Sequence, residues 1–406
     1  ERSGMPMAWR QVLGCLGSGA VSLFVARYLL GCSRLHLSVK RKAAGEVEGS
    51  PRTDAGQTSE AGPPLARAEF VLLALFDGIR GCSAALRSLG LEPFADYSSE
   101  VDGNCMRLIA AKFPGCRQLG DVRKVDQAAL AEMVARHGSS RPWLVVGGSP
   151  CQDLSRRRGS SRRGLSGKKS KLFFEYVRVV SMLMSMGVQV IFLLENVSSM
   201  PDEDRDAITS CLGVEPVEID SALVSACHRQ RYYWTNLPVS PPCQRDIDID
   251  SLLDPGWRRT PTGKPFRCFV ASAAWQARRG REPLGVCRAS DGADERPPNA
   301  DEREAILGFP RGHTRMRLDD GEELPEGARL KMLGNSFSVQ VVAHLLAPLA
   351  AHAKEGRPLE LRPLREGALV LTMDRIVDCG DDDGEEEALD DLWAFVLTID
   401  RIVDCG

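Results

Sequence analysis

The chain has 406 residues, 43% hydrophobic and 26% charged, ample for one large core or two domains. Its 13 cysteines include no C-x-x-C pair and no zinc-site spacing, which excludes a disulfide framework and a structural metal and points to a reducing compartment. The net charge of −3 is divided: residues 374–406 hold twelve acidic and two basic side chains, a net of −10, so the remainder carries +7 and suits a polyanionic partner.

Residues 1–66 read as a disordered leader and linker. The apolar stretch 12–25, followed by Arg27 and Lys40-Arg41-Lys42, could be a targeting segment and is too short and interrupted for a membrane span. Order is expected from Glu69. Phe70 to Phe76 is a strand-type apolar run that ends in Asp77-Gly78-Ile79-Arg80-Gly81, before a helix over 83–89. A short strand over 94–97 ends in Ser98-Ser99-Glu100-Val101. A helix over 103–112 follows, and Asp121-Val122 closes a third element. A helix over 128–136 leads to the strand Trp143–Val146, which stops at Gly147-Gly148 and presents Pro150-Cys151. The pattern 172–186 predicts an amphipathic helix. The five-residue run Val190–Leu194 ends in Glu195-Asn196-Val197, and strands are expected near Val217 and over 232–235. Strands alternating with helices imply an α/β fold, a mostly parallel sheet covered on both faces. Residues 239–300 break the rhythm and read as a loop-rich insert. Helical pieces at 304–307, 328–333 and 337–349 return to the core, with Gly334-Asn335-Ser336 as punctuation. Beyond 355 comes an acidic tail in which Leu371–Gly380 recurs as Leu397–Gly406.

Four clusters carry chemistry. Glycines after the first strand let backbone N–H groups approach a ligand. Glu100, 23 residues after Asp77, is placed to hold ribose hydroxyls, and Asp121 to accept from an adenine amine, so an adenosine-bearing cofactor is expected. Position 162 is Arg where a P-loop needs glycine, which argues against ATP. Cys151 is a candidate nucleophile and Glu195 a candidate acid, each at the end of a buried strand. Arg229 and Arg231 would share a strand face. The basic stretch 156–171, with Arg156, Arg157, Arg158, Arg162 and Arg163 after Ser155, suits nucleic-acid phosphates.

The order of these blocks resembles the cytosine-5 DNA methyltransferases, most like the animal de novo type, over roughly 69–350. The resemblance is carried by Phe76-Asp-Gly-Ile79, Gly147-Gly-Ser-Pro-Cys-Gln-Asp-Leu-Ser155, Leu172-Phe-Phe-Glu175, Glu195-Asn-Val197, 224–238, Gly308-Phe-Pro310 and Gly334-Asn-Ser-Phe-Ser-Val339. It differs at Gln152, where Asn is usual, and at Arg80, where a small residue is expected. The resemblance implies a Rossmann-like S-adenosylmethionine-dependent fold. It makes Cys151 the attacker of cytosine carbon 6, Glu195 the group at ring nitrogen 3, and Arg231 with Arg229 the support. S-adenosylmethionine would touch Phe76, Asp77, Gly78, Ile79, Gly81, Glu100, Val101, Asp121, Val122, Arg123, Pro150, Asn335, Ser336 and Phe337. The base must be flipped out of the duplex. DNA would be held by 155–163 and by Arg278, Arg279 and Arg281 of the insert, taken as the target-recognition segment. Catalytic core is expected over 67–238 and its completion over 301–355. A homodimer through the helix around Phe173 is implied, with no structural metal, no firm membrane association and a nuclear location, or an organelle if the leader is a targeting segment. The alternatives are a tRNA cytosine-5 methyltransferase, toward which Arg267-Cys268-Phe269-Val270 hints, and a catalytically silent partner of a related enzyme.

Overall fold

The computed structural model describes residues 65–260, 264–271, 285–292 and 294–369, the side chains of residues 157 and 158 excepted. The leader, Arg278, Arg279, Arg281 and the repeated acidic tail lie outside the described residues.

Seven strands form one sheet: β1 (Ala66–Leu75), β2 (Leu91–Ser99), β3 (Arg117–Gln118), β4 (Trp143–Gly147), β5 (Val190–Val197), β6 (Val217–Asp220) and β7 (Gln230–Thr235). Their order is β3-β2-β1-β4-β5-β7-β6. All pairs are parallel except β5 with β7 and β6 with β7. The helices are α1 (Gly81–Ser88), α2 (Gly103–Lys112), α3 (Gln127–His137), α4 (Phe173–Ser185), α5 (Asp202–Leu212), α6 (Ala300–Leu307), α7 (Glu326–Asn335) and α8 (Val339–Glu355).

β1, β4 and β5 are unbroken apolar runs because both their faces are covered. Leu72, Leu144, Val146 and Ile191 join one core layer with α1, α2, α6, α7 and α8. Val71, Leu73, Leu75, Val145 and Phe192 join the other with α3, α4 and α5. The expected doubly covered, mostly parallel sheet is therefore present. Connections run from β1 outward to β2 in one direction and to β4 in the other. Such a switch point opens a crevice at the carboxyl ends of the strands. Register levels those ends: Leu75 is opposite both Ser99 and Gly147, and Gly147 is opposite Leu194. Phe76, Glu100 and Gly148 thus leave the sheet at the level of Glu195, and Asp77 follows one residue later.

Several boundaries differ from the sequence expectation. β2 starts at Leu91 and accommodates Pro93, with a register shift against β1 between Ala68 and Val71; proline is tolerated in a strand at such irregularities. Asp121 and Val122 do not end a strand; they open a 3-10 turn, Val122–Lys124. β5 runs on through Glu195 to Val197, because β7 pairs with its end. Gly334 and Asn335 lie inside α7 rather than breaking it. A Cβ on Gly334 would fall 2.3 Å from the backbone nitrogen of Ala271, so this glycine marks a close chain approach. Between 239 and 300 the described residues contain one two-stranded sheet, β8 (Trp257–Arg259) with β9 (Val286–Arg288).

Candidate active site

Cys151 follows β4 and is half-buried. Ser149 and Asn196 tie its approach to β5: the Asn196 amide donates to Ser149 Oγ at 3.0 Å and to Ser149 O at 3.3 Å. After Cys151 the chain folds back on Asp153, whose carboxylate accepts from Lys169 N at 3.0 Å and Ser170 N at 3.2 Å. Ser170 Oγ donates to Pro150 O at 3.0 Å. The basic stretch is therefore organised into 3-10 turns closed at its base, not an open loop.

Glu195 lies on β5 opposite Tyr233, and Arg231 lies on β7 opposite Val197. Positions two apart share a face, so Arg231 is the diagonal neighbour of Glu195. Its Nε is 2.8 Å from Glu195 Oε1, and both side chains are largely buried. Burial opposes the Arg231 charge, but Glu195, Cys268 and Cys151 more than restore it, so its pKa is raised. Burial pushes the Cys151 thiol up, Arg231 and Arg229 pull it down, and Glu195 pushes it up; the net direction is up. Arg231 and Glu195 are paired directly, and both act electrostatically on the Cys151 thiol, as Arg229 does. Arg229 stands just before β7 rather than on it. It is 4% exposed, and its Nη1 meets Cys268 Sγ at 3.5 Å and Phe269 O at 3.4 Å. Cys268 belongs to the insert and carried no signal of its own beyond its place in 267–270. A cleft of about 390 Å³ continues from Arg231 past Cys268, Ser199, Gln230 and His228.

The β1 turn and the end of β2 face the same crevice from the other side. Glu100 Oε2 accepts from Gly78 N at 2.7 Å, and Oε1 accepts from Val101 N and Asp102 N at 2.8 Å each. Burial raises the Glu100 pKa against these three backbone donors. Val101 beside it is 67% exposed, an apolar surface free to carry a ring. A Cβ on Gly78 would meet nothing within 4 Å, so that backbone is open to a ligand. Phe337 packs against Gly81 and Gly148 and bridges the two halves of the crevice. An acceptor, an exposed apolar side chain and an open turn fit a nucleoside-bearing cofactor. Three of the residues expected there are otherwise engaged. The Asp77 carboxylate is bound to Arg80 at 2.6 Å, so only its backbone faces outward. The Asp121 carboxylate is taken by Arg123, which holds its pKa down, and Ser336 Oγ donates to Leu333 O. Val122 is buried, Asn335 exposed, and Pro150 and Phe337 half-buried.

Ser155 is half-buried and Arg156 and Arg163 exposed on the rim, while Arg162 Nη1 donates to Ser199 O at 3.2 Å. Phe173 is not at the surface: its ring is fully buried in the core, and Phe174 beside it is only partly covered. The start of α4 buries the Phe173 ring against the sheet, so any surface contact made by this helix falls to its neighbours. Among the described residues no cluster of three His, Cys, Asp or Glu can hold a metal, and no single helix is long and apolar enough to cross a membrane. Sequence reasoning missed His313, which donates to Ile79 O at 2.7 Å from 234 residues away, a distance no local pattern signals.

Residues 70–212 match the family described as C-5 cytosine-specific DNA methylase. The chain is 32% identical over 136 residues to the orphan methyltransferase M.Rho11sI of Bacillus phage rho11s, covering 33% of this chain and 24% of that protein. It is 31% identical over 115 residues to the DNA (cytosine-5)-methyltransferase DRM1 of Arabidopsis thaliana, covering 27% and 18%. The solved structure of the Entamoeba histolytica methyltransferase EhMeth is similar with a TM-score of 0.48 at 16% identity, covering 69% of this chain and 99% of that one. These two curated relatives are thus spanned over a quarter of their length or less.

Proposed function

We propose, from the premise that residues 70–212 belong to the C-5 cytosine-specific DNA methylase family, that this protein methylates carbon 5 of cytosine in DNA. The observation that carries the reading is the Arg231–Glu195 pair at 2.8 Å, lying within electrostatic reach of the Cys151 sulfur. A thiol and a carboxyl converging in one crevice suit attack on one edge of a pyrimidine and polarisation of another.

In this reading the Cys151 sulfur, having lost its proton, adds to carbon 6. Glu195, oriented by Arg231, binds ring nitrogen 3 and the exocyclic amine, so the electron pair released by addition resides on carbon 5. S-adenosylmethionine, when bound at Gly78, Glu100 and Val101, supplies an electrophilic methyl group. Once the donor's S–CH3 bond has broken, leaving a neutral thioether, carbon 5 would carry both methyl and hydrogen; loss of that proton to water and elimination across the carbon 5–carbon 6 bond would expel the Cys151 sulfur. The base reaches the crevice only when extruded from the duplex, at a cost of a few kcal/mol, roughly what the rim arginines must offset. Arg156 and Arg163 would meet flanking phosphates.

The test is incubation of unmethylated duplex with protein and S-adenosylmethionine, followed by bisulfite sequencing. Wild type should leave methylated cytosines. Cys151→Ala should leave none while still binding the cofactor by calorimetry. Methyl transfer by Cys151→Ala would refute the scheme, and transfer to tRNA alone would reassign the substrate.

A further inference from the structure

The turn after β1 is unusual in its backbone. Phe76, Gly78 and Arg80 all have positive φ, at 54°, 57° and 66°. Glycine takes these angles freely, whereas phenylalanine and arginine do so against steric resistance. Such a turn persists only where its surroundings over-determine it. Arg80 supplies that restraint. Its side chain is fully buried, directed into the protein rather than toward the crevice. One Nη donates to Asp77 Oδ2 at 2.6 Å within the turn, and the other is bonded to Asp96 on β2. The guanidinium also lies 5.1 Å over the Phe113 ring. On the open side, Gly78 N donates to Glu100, the residue that follows β2. The bridge therefore joins the two backbone segments that face the crevice.

We propose that Arg80 is a positioning residue for S-adenosylmethionine: the buried Asp77–Arg80–Asp96 bridge holds the turn over 76–80 in register with Glu100. This rests on the cofactor assignment of the preceding subsection. Burial by itself would lower the Arg80 pKa, and Asp77 and Asp96 reverse that, so the side chain stays charged. A guanidinium can fork to two carboxylates, and a lysine ammonium offers only a compact point charge.

The experiment compares wild type, Arg80→Gly, Arg80→Lys and Asp96→Asn in the 406-residue chain by calorimetric titration with S-adenosylmethionine and by steady-state kinetics. Glycine suits the φ at position 80, so Arg80→Gly removes the bridge without backbone strain. Arg80→Gly and Asp96→Asn should raise Kd and KM for the cofactor roughly tenfold. The kcat at saturating cofactor and the KM for DNA should change by less than about twofold, with Arg80→Lys intermediate. A purely structural role would lower Tm and leave the cofactor Kd unmoved below the transition; that result in both variants overturns the proposal. Should Arg80→Gly fail to fold, Asp96→Asn, which keeps the Arg80–Asp77 pair, decides by the same criterion. Absence of binding by wild type would remove the cofactor assignment itself, and this inference with it.

Discussion

As the proposed nucleophile, Cys151 starts from an unfavourable position, since burial outweighs its two arginine neighbours and raises the thiol pKa above its ordinary 9.0. The thiolate population therefore grows with pH through and beyond that value. We expect kcat/KM for DNA to climb on the alkaline side, and Arg231→Ala to move that limb to still higher pH, because a charge that pulls the thiol down is lost. A limb unmoved in Arg231→Ala would separate Arg231 from the sulfur. Glu195→Gln keeps the shape of the side chain and loses proton transfer. It should cut single-turnover methyl transfer by about 10²-fold or more, the range of general acid catalysis.

At the scale of elements, the crevice depends on close approaches that a single methyl group would spoil. A Cβ at Gly148 would stand 2.8 Å from Phe337 Cε1 and 3.5 Å from Glu195 Oε2. Gly148→Ala must displace Phe337, costing about 1–3 kcal/mol as overpacking, and should depress both cofactor affinity and turnover. The loop after β4 hangs on Asp153. Asp153→Ala leaves the N–H groups of Lys169 and Ser170 without that acceptor, at about 1–3 kcal/mol. Trypsin should then cut faster within 156–171 than in wild type; equal cleavage would show the loop is held elsewhere. The β5–β7 register matters as much to the proposed site, since a slip of one residue would turn Arg231 away from Glu195.

For the whole molecule, the turn over 76–80 is also braced from the carboxyl-terminal part of the chain. His313 is buried, packs on Phe309 and donates to Ile79 O. Burial lowers its pKa from 6.5, against the Ile79 hydrogen bond, with Lys112 lowering it further and Glu304 opposing. The neutral ring is the folded form. Its contribution is full above 6.5 and is lost as pH falls from there toward the lowered folded value, because the unfolded chain protonates first. Denaturant melts should show stability falling over that window, and His313→Gln should flatten the slope. Phe173→Ala would open a core cavity worth about 3–5 kcal/mol, so it is unsuited to testing self-association. Phe174→Ala tests the proposed homodimer instead: a wild-type dimer that becomes monomeric in sedimentation supports it, and a wild-type monomer ends it.

The sequence alone determined the main strand runs and the doubly covered sheet, and singled out Cys151, Glu195, Arg229 and Arg231 as candidates, because strand ends and ordered motifs are local. Tertiary structure decided what those residues meet. The diagonal pairing of Arg231 with Glu195 needs the antiparallel register of β7, and the reach of Cys268 to Arg229 needs the insert folded back. Arg80 stood out as foreign to its motif, but its burial between Asp77 and Asp96 depends on β2 lying beside β1. Likewise Phe173 and Phe174 are the same residue type, and only packing made one core and the other partly exposed. Local propensity and pattern are written in neighbouring residues, whereas contacts across tens or hundreds of positions exist only once the chain has closed on itself.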